Sequence, residues 1–257
     1  MKAHWTVVGP VLLVMATGAR GQTDAVVCGG SDRWSIKTSA DTSQSVLDAA
    51  AAAIPKTVDD MLNQARPSWS PPKSQYQNRA IPGDEGTTVR VRGWLYRIGH
   101  DPKDSDYHLQ LVSDLNNCFQ RSVIVEVPDD RCVTGANLVP FVRTARNALD
   151  VMLGHQPKLQ GGEPPPKPTE VIVTGRLFYD LHHEKRDGTP ELRGHGNCKA
   201  GTLWEVHPVI AVEIPAAGVN TATVSVPDSQ KKRRRALGSG RIRPTRRRLT
   251  ASPSGME

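Results

Sequence analysis

Between residues 88 and 214 the chain carries short runs in which apolar side chains recur at every second position. Thr88–Ile98 places Val89, Val91, Gly93 and Leu95 on one face. Tyr107–Val112 does the same with Tyr107, Leu109 and Leu111, and Ser122–Val127 with Val123, Val125 and Val127. A period of two is the signature of a β-strand with one face buried. Glu170–Tyr179 and Thr202–Ile214 read as two further strands. Pro208, inside the last of them, implies an edge or a bulge, because proline cannot donate to the ladder. Between the third and fourth strands the period changes. Phe141, Val142, Ala145, Leu149 and Met152 recur at helical spacing within Leu138–Leu153, with Pro140 in the first turn and Gly154 at the end.

Three strands, a helix and two strands is the element order of the OB fold, a five-stranded Greek-key barrel. Strands one and four echo each other: Val89-x-Val91-x-Gly93-x-Leu95-Tyr96 against Ile172-x-x-Gly175-x-Leu177-Phe178. Each has a mid-strand glycine where a closing barrel must bend. The fold class expected is therefore mainly β: an OB-type barrel over residues 87–216, preceded by an N-terminal helical segment. That segment, residues 22–86, reads as loose chain to about residue 43. A helix follows over Ser45–Ala65, broken or kinked at Pro55, and then a Pro-rich linker from Pro67 to Gly86.

The first 21 residues change the picture of compartment. Lys2 and His4 precede an apolar run, Trp5–Ala16, and then the small residues Ala19 and Gly21. This is the order of a secretory signal, and about 12 apolar residues are too few for a bilayer span, which needs about 20. The protein is thus expected to be exported, periplasmic or extracellular. Four cysteines, Cys28, Cys118, Cys132 and Cys198, then suggest two disulfides with three possible pairings. Cys118 with Cys132 is disfavoured: the strand between them holds its ends roughly 20 Å apart, against the ~7 Å a disulfide tolerates between Cα atoms.

The formal charge of +7 is unevenly spread. Ten of the 33 basic residues lie between Lys231 and Arg248, and one of the 26 acidic residues, Glu257, lies beyond position 230. Residues 1–230 therefore hold 23 basic against 25 acidic side chains. Residues 217–257 read as a disordered basic tail that attracts polyanions by a salt-sensitive, sequence-independent force.

Four stretches carry a family resemblance: Asp106-Tyr-His108-Leu-x-Leu111, Val125-Glu126-Val127-Pro128, Gly175-x-Leu-Phe178-Tyr-Asp180 and Trp204-Glu205-Val-His207-Pro208-Val209. In these, residues 88–214 resemble a group of largely uncharacterised exported bacterial proteins with an OB-like domain. The resemblance implies the fold and brings no settled activity.

Two sets of residues are candidates for function. Arg90, Arg92, Trp94, Tyr96, Arg176 and Phe178 alternate with the inward positions of strands one and four. They form a potential stacking and phosphate-binding face for nucleic acid or polysaccharide. His108, Asp180, His182, Glu205 and His207 lie at strand ends and on one outer face, a mixed set of imidazoles and carboxylates able to hold a divalent metal. No cofactor is otherwise implied. The chain has no Cys-x-x-Cys, no Gly-x-Ser-x-Gly and no complete nucleotide-binding glycine motif. Three readings follow: a binding module for an oligomeric or anionic ligand, a metal-dependent phosphodiester hydrolase, and an envelope protein-interaction domain.

Overall fold

Five strands close into a barrel because their inward residues are almost all β-branched or leucine. In the computed structural model, which describes residues 25–29, 33–40 and 43–215, an N-terminal layer comes first. It holds helix α1 (Trp34–Lys37), helix α2 (Ser43–Ala50), strand β1 (Ile54–Thr57) and helix α3 (Val58–Leu62). The barrel comprises β2 (Thr88–His100), β3 (Tyr107–Val112), β4 (Ser122–Val127), helix α4 (Val139–Leu153), β5 (Glu170–Tyr179) and β6 (Trp204–Glu213). The sheet order is β1-β2-β3-β4-β6-β5, and β5 pairs back onto β2 to close the ring. The β4–β6 contact is parallel and the other contacts within the ring are antiparallel. This is the OB-type Greek key, with the helix between the third and fourth barrel strands. The signal segment and the basic tail lie outside the described residues.

Val89, Val91, Leu109, Leu111, Val123, Val125, Val127, Val171, Val173, Leu177, Val206 and Val209 fill the interior. The helix α4 contributes Val142, Ala145, Leu149 and Leu153 to the same core. Its end is set by Gly154, whose φ of 80° lets the chain turn left-handed while its N–H donates to the Asp150 carbonyl. Phe141, expected on the apolar face, is exposed.

The two mid-strand glycines allow close approach. A Cβ at Gly93 would lie 2.6 Å from Val58 Cγ2, where α3 packs against the barrel. At Gly175 it would lie 2.4 Å from the Pro208 carbonyl oxygen and 2.6 Å from Val206 Cγ1. The β5–β6 register shifts on both sides of Gly175, so Pro208 sits in a bulge between the paired residues Val206 and Val209. The missing proline donor is thus accommodated within the ring.

The N-terminal segment departs from the expectation of a helix over Ser45–Ala65 broken or kinked at Pro55. Helix α2 already ends at Ala50, and the chain around Pro55 pairs with β2 in parallel, Ile54 opposite Val89 through Thr57 opposite Arg92. α3 restarts behind a capping box: Thr57 Oγ1 accepts from the Asp60 N–H, and Asp60 Oδ2 from the Thr57 N–H. The stretch read as a linker also packs, with Tyr76 and Ile81 buried in the core. Two disulfides, Cys28–Cys132 and Cys118–Cys198, join residues 104 and 80 positions apart. No helix among the described residues is long and apolar enough to cross a membrane.

Gly175→Val is expected to lower the unfolding free energy by about 3 kcal/mol, because the new side chain meets backbone rather than a yielding side-chain tip. Urea unfolding midpoints compared with a surface control check this.

Candidate functional site

Alternation places a polar layer on the outside of the barrel. His108 on β3 stands opposite Glu126 on β4. Val125 pairs with Val206 across the parallel β4–β6 contact, which brings Glu126 beside His207. Phe178 on β5 stands opposite Glu205 on β6. An outer barrel face normally meets water, but here the N-terminal segment covers it. Arg33, at the start of α1, lies 5.0 Å above the Phe178 ring, and Lys37, at the end of α1, lies 5.8 Å from it.

Between this cover and the strands lies a cleft of about 370 Å³, walled by Lys37, His108, Glu126, Asp180, Arg193 and Glu205, with Trp34 and His183 at its margin. A second cleft of about 320 Å³ adjoins it and shares Asp101, Lys103, His108 and Gly194. His195 lies in the second, its ring 5.5 Å from that of His108. The loop carrying Arg193 and His195 is held to the barrel by Cys118–Cys198. It is held also by Gln110, which donates to the Cys198 carbonyl and accepts from the His195 N–H, each at 2.5 Å.

Arg193 is the hinge of the charge pattern. Its Nη1 donates to Asp180 Oδ2 at 2.6 Å and to Glu205 Oε1. Its Nε and Nη2, both buried, have no hydrogen-bond partner among the described residues. Asp180 also accepts from His183 Nδ1 at 2.5 Å. Burial opposes ionisation of Asp180, but Arg193, His183 and Lys37 outweigh it and hold the carboxyl well below its usual range. Glu205 is more fully desolvated, and burial lifts it to about 7 despite Arg193. Desolvation lowers His108 to about 4, so that ring is neutral. His183 is raised by its bond to Asp180.

Deeper in, His207 is flanked by two carboxylates, with Nε2 3.1 Å from Asp106 Oδ2 and Nδ1 2.7 Å from Glu126 Oε2. Burial disfavours its charge, but Glu126 and Asp106 prevail and bring it to about 9. Lys37 and His207 likewise draw Glu126 well below the ordinary value, against the cost of burial.

Of the expected metal set, the structure gathers His108, Asp180, Glu205 and His207 on one face. Asp180 and Glu205 are engaged by Arg193, while His207 keeps company with Asp106 and Glu126. His182 is exposed and does not line the cleft, and its neighbour His183 takes the place beside Asp180 on the short 3-10 turn Leu181–His183.

The expected ligand face is divided. Arg90 pairs with Glu213 at 2.8 Å and Arg92 with Glu170 at 2.6 Å. Trp94 and Tyr96 are half-buried. Arg176 and Phe178, expected to be accessible, are buried under the N-terminal segment. The sequence reading missed Lys37 and Arg193, and it chose His182 over its neighbour His183. Lys37 and Arg193 come from segments without periodicity, and no local motif marks them.

The chain matches no family model, no curated protein and no solved structure.

The His183–Asp180 contact has a definite pH signature. A histidine whose pKa is raised on folding adds stability below its ordinary value of 6.5, and that stability is lost as pH rises through the raised value. Denaturant midpoints of the native chain and His183→Gln, taken between about pH 5 and 9, should differ most at the acid end and converge at the alkaline end.

Proposed function

We propose that this protein is an exported binding module whose barrel holds an anionic ligand in the cleft beside Arg193. The observation that carries this is the Arg193 guanidinium, which spends one nitrogen on two carboxylates and leaves Nε and Nη2 unpartnered in a desolvated wall. A carboxylate, sulfate or phosphate oxygen accepts from such a fork in a charge-assisted hydrogen bond. Lys37, nearly buried beside the same cleft, adds a second positive charge. Glu205, Asp180 and the neutral His108 supply partners for hydroxyl or amine groups of the same ligand. The adjoining second cleft gives room for a further unit, which suits an oligomer such as an acidic polysaccharide. The signal-like N-terminus and the two disulfides support export. The basic run Lys231–Arg248 adds sequence-independent attraction.

A metal-dependent phosphodiester hydrolase is the second reading. It draws on the convergence of Asp106, Glu126 and His207, and differs from the first in requiring turnover of a diester such as bis(p-nitrophenyl) phosphate.

The test is binding of a labelled uronate oligosaccharide, and in parallel of single-stranded DNA, to the full chain across a salt series. Arg193→Lys and Arg193→Met should each weaken binding at least ~10-fold, as loss of a hydrogen bond to a charged group does, while Arg92→Met leaves it unchanged. Loss of binding in Arg92→Met with retention in both Arg193 variants would place the ligand on the outer face of β2 and overturn the reading.

A further inference from the structure

We propose that Asp106, Glu126 and His207 form a binding site for one divalent transition cation, Zn²⁺ or Mn²⁺, buried behind the Glu126 wall of the cleft. The three come from three chain segments: Asp106 immediately before β3, Glu126 on β4 and His207 on β6. Each offers one ligand atom, and these atoms lie within 4.8 Å of one another. Donors ~2.1 Å from a common ion lie ~3.4 Å apart in a tetrahedral site, so the widest pair has to close by up to about 1.4 Å, a movement of side chains rather than of backbone.

A second observation separates this cluster from an ordinary group of buried charges. His207 is 0% exposed and Asp106 1%. The short N···O separations around His207 are not aligned with its ring N–H directions. Among the described residues, neither ring nitrogen makes a hydrogen bond, nor does either oxygen of Asp106, nor Glu126 Oε2. Five polar atoms of Asp106, Glu126 and His207 therefore lie together in ion-pair contact but without an aligned hydrogen bond among the described residues. Such atoms each cost roughly 1–3 kcal/mol when buried, and a coordinated ion is one of the recognised reasons for finding them.

The donor chemistry selects the ion. Two carboxylates and one imidazole make a mixed oxygen and nitrogen set, suited to Zn²⁺ or Mn²⁺ rather than to the all-oxygen preference of Ca²⁺. A divalent ion also neutralises the two carboxylates, taking over the charge that His207 gives up with its proton when it becomes a ligand. His108, with Nδ1 3.5 Å from Glu126 Oε1, is placed to orient that carboxylate from outside the coordination sphere, as outer-shell partners do. Asp180 and Glu205 are not ligands, because Arg193 occupies both. This site does not depend on whether the cleft binds an anionic oligomer, although an anion in the cleft would gain from it.

The experiment is metal uptake by the purified full chain. The protein is stripped with chelator, loaded with Zn²⁺, dialysed, and its metal content measured by mass spectrometry. In parallel, Co²⁺ is titrated and its visible d–d absorption followed. The expected result is one ion per chain and a Co²⁺ spectrum of a protein-bound low-symmetry site. Asp106→Asn and Glu126→Gln should each weaken uptake more than ~10-fold, with His182→Gln unchanged. Folded wild-type protein that takes up no ion overturns the proposal, whatever the variants do. So does uptake that both Asp106→Asn and Glu126→Gln retain in full.

Discussion

The buried ion pair between Arg33 and Glu85 holds the rest of the site in place. The two side chains meet through paired contacts of 2.7 Å, at 1% and 0% exposure. Arg33 also donates to the carbonyls of Tyr76, Tyr179 and Arg79, and Glu85 accepts from the N–H groups of Ile81 and Tyr179. One pair therefore ties the start of α1, the Tyr76–Ile81 stretch, the approach to β2 and the end of β5. A buried pair with its remaining groups satisfied is not strongly stabilising as such, but breaking it strands the partner and costs about 3–5 kcal/mol. Its consequence is positional: α1 begins at the next residue, and four residues on, Lys37 reaches the cleft.

The N-terminal segment thereby converts an outer barrel face into an interior one. OB barrels commonly use the outer face of their strands for ligands. Here much of that face is occupied by protein, with Phe178 under Arg33 and Arg176 in the same covered layer. The remaining opening is bounded by α1 on one side and the disulfide-anchored Arg193 loop on the other. Closure also explains the charges. Covering carboxylates with α1 requires cations beside them, and Lys37, Arg193 and His207 provide these. Burial raises all three carboxyls; the cations outweigh it at Asp180 and Glu126 and hold those two down, while at Glu205 burial prevails and lifts it to about 7.

The barrel was legible in the sequence because its physics is local and periodic. Val89, Val91, Leu109, Leu111 and the valines of β4 alternate without interruption, and the helix spacing from Val142 to Leu149 is unambiguous. The same alternation put His108, Glu205 and His207 on one outer face, which is where they stand. What covers that face was not legible. A four-residue helix has no measurable period, β1 contains the proline that argues against a strand, and Arg33 reads as an ordinary surface residue until Glu85 is seen beside it. Asp106 stood in plain view beside His108, and Glu126 within the Val125–Pro128 stretch. They acquire meaning only when the parallel β4–β6 contact sets Glu126 next to His207, a pairing between segments some 80 residues apart. Arg92 shows the reverse case: its alternation was read correctly, and its pairing with Glu170 across β5 was not visible.

The central claim is that the Arg33–Glu85 pair docks the N-terminal segment to make the cleft. Hydrogen–deuterium exchange on the native chain and on Glu85→Gln tests it most directly. The amides of Lys37 to Ala40, which bond back to Arg33–Ile36, should exchange faster in the variant, while those of β3 and β4 remain protected. Unchanged protection across residues 37–40, in a variant shown to be folded, would contradict the account and return the outer face of the barrel to the role of an independent surface.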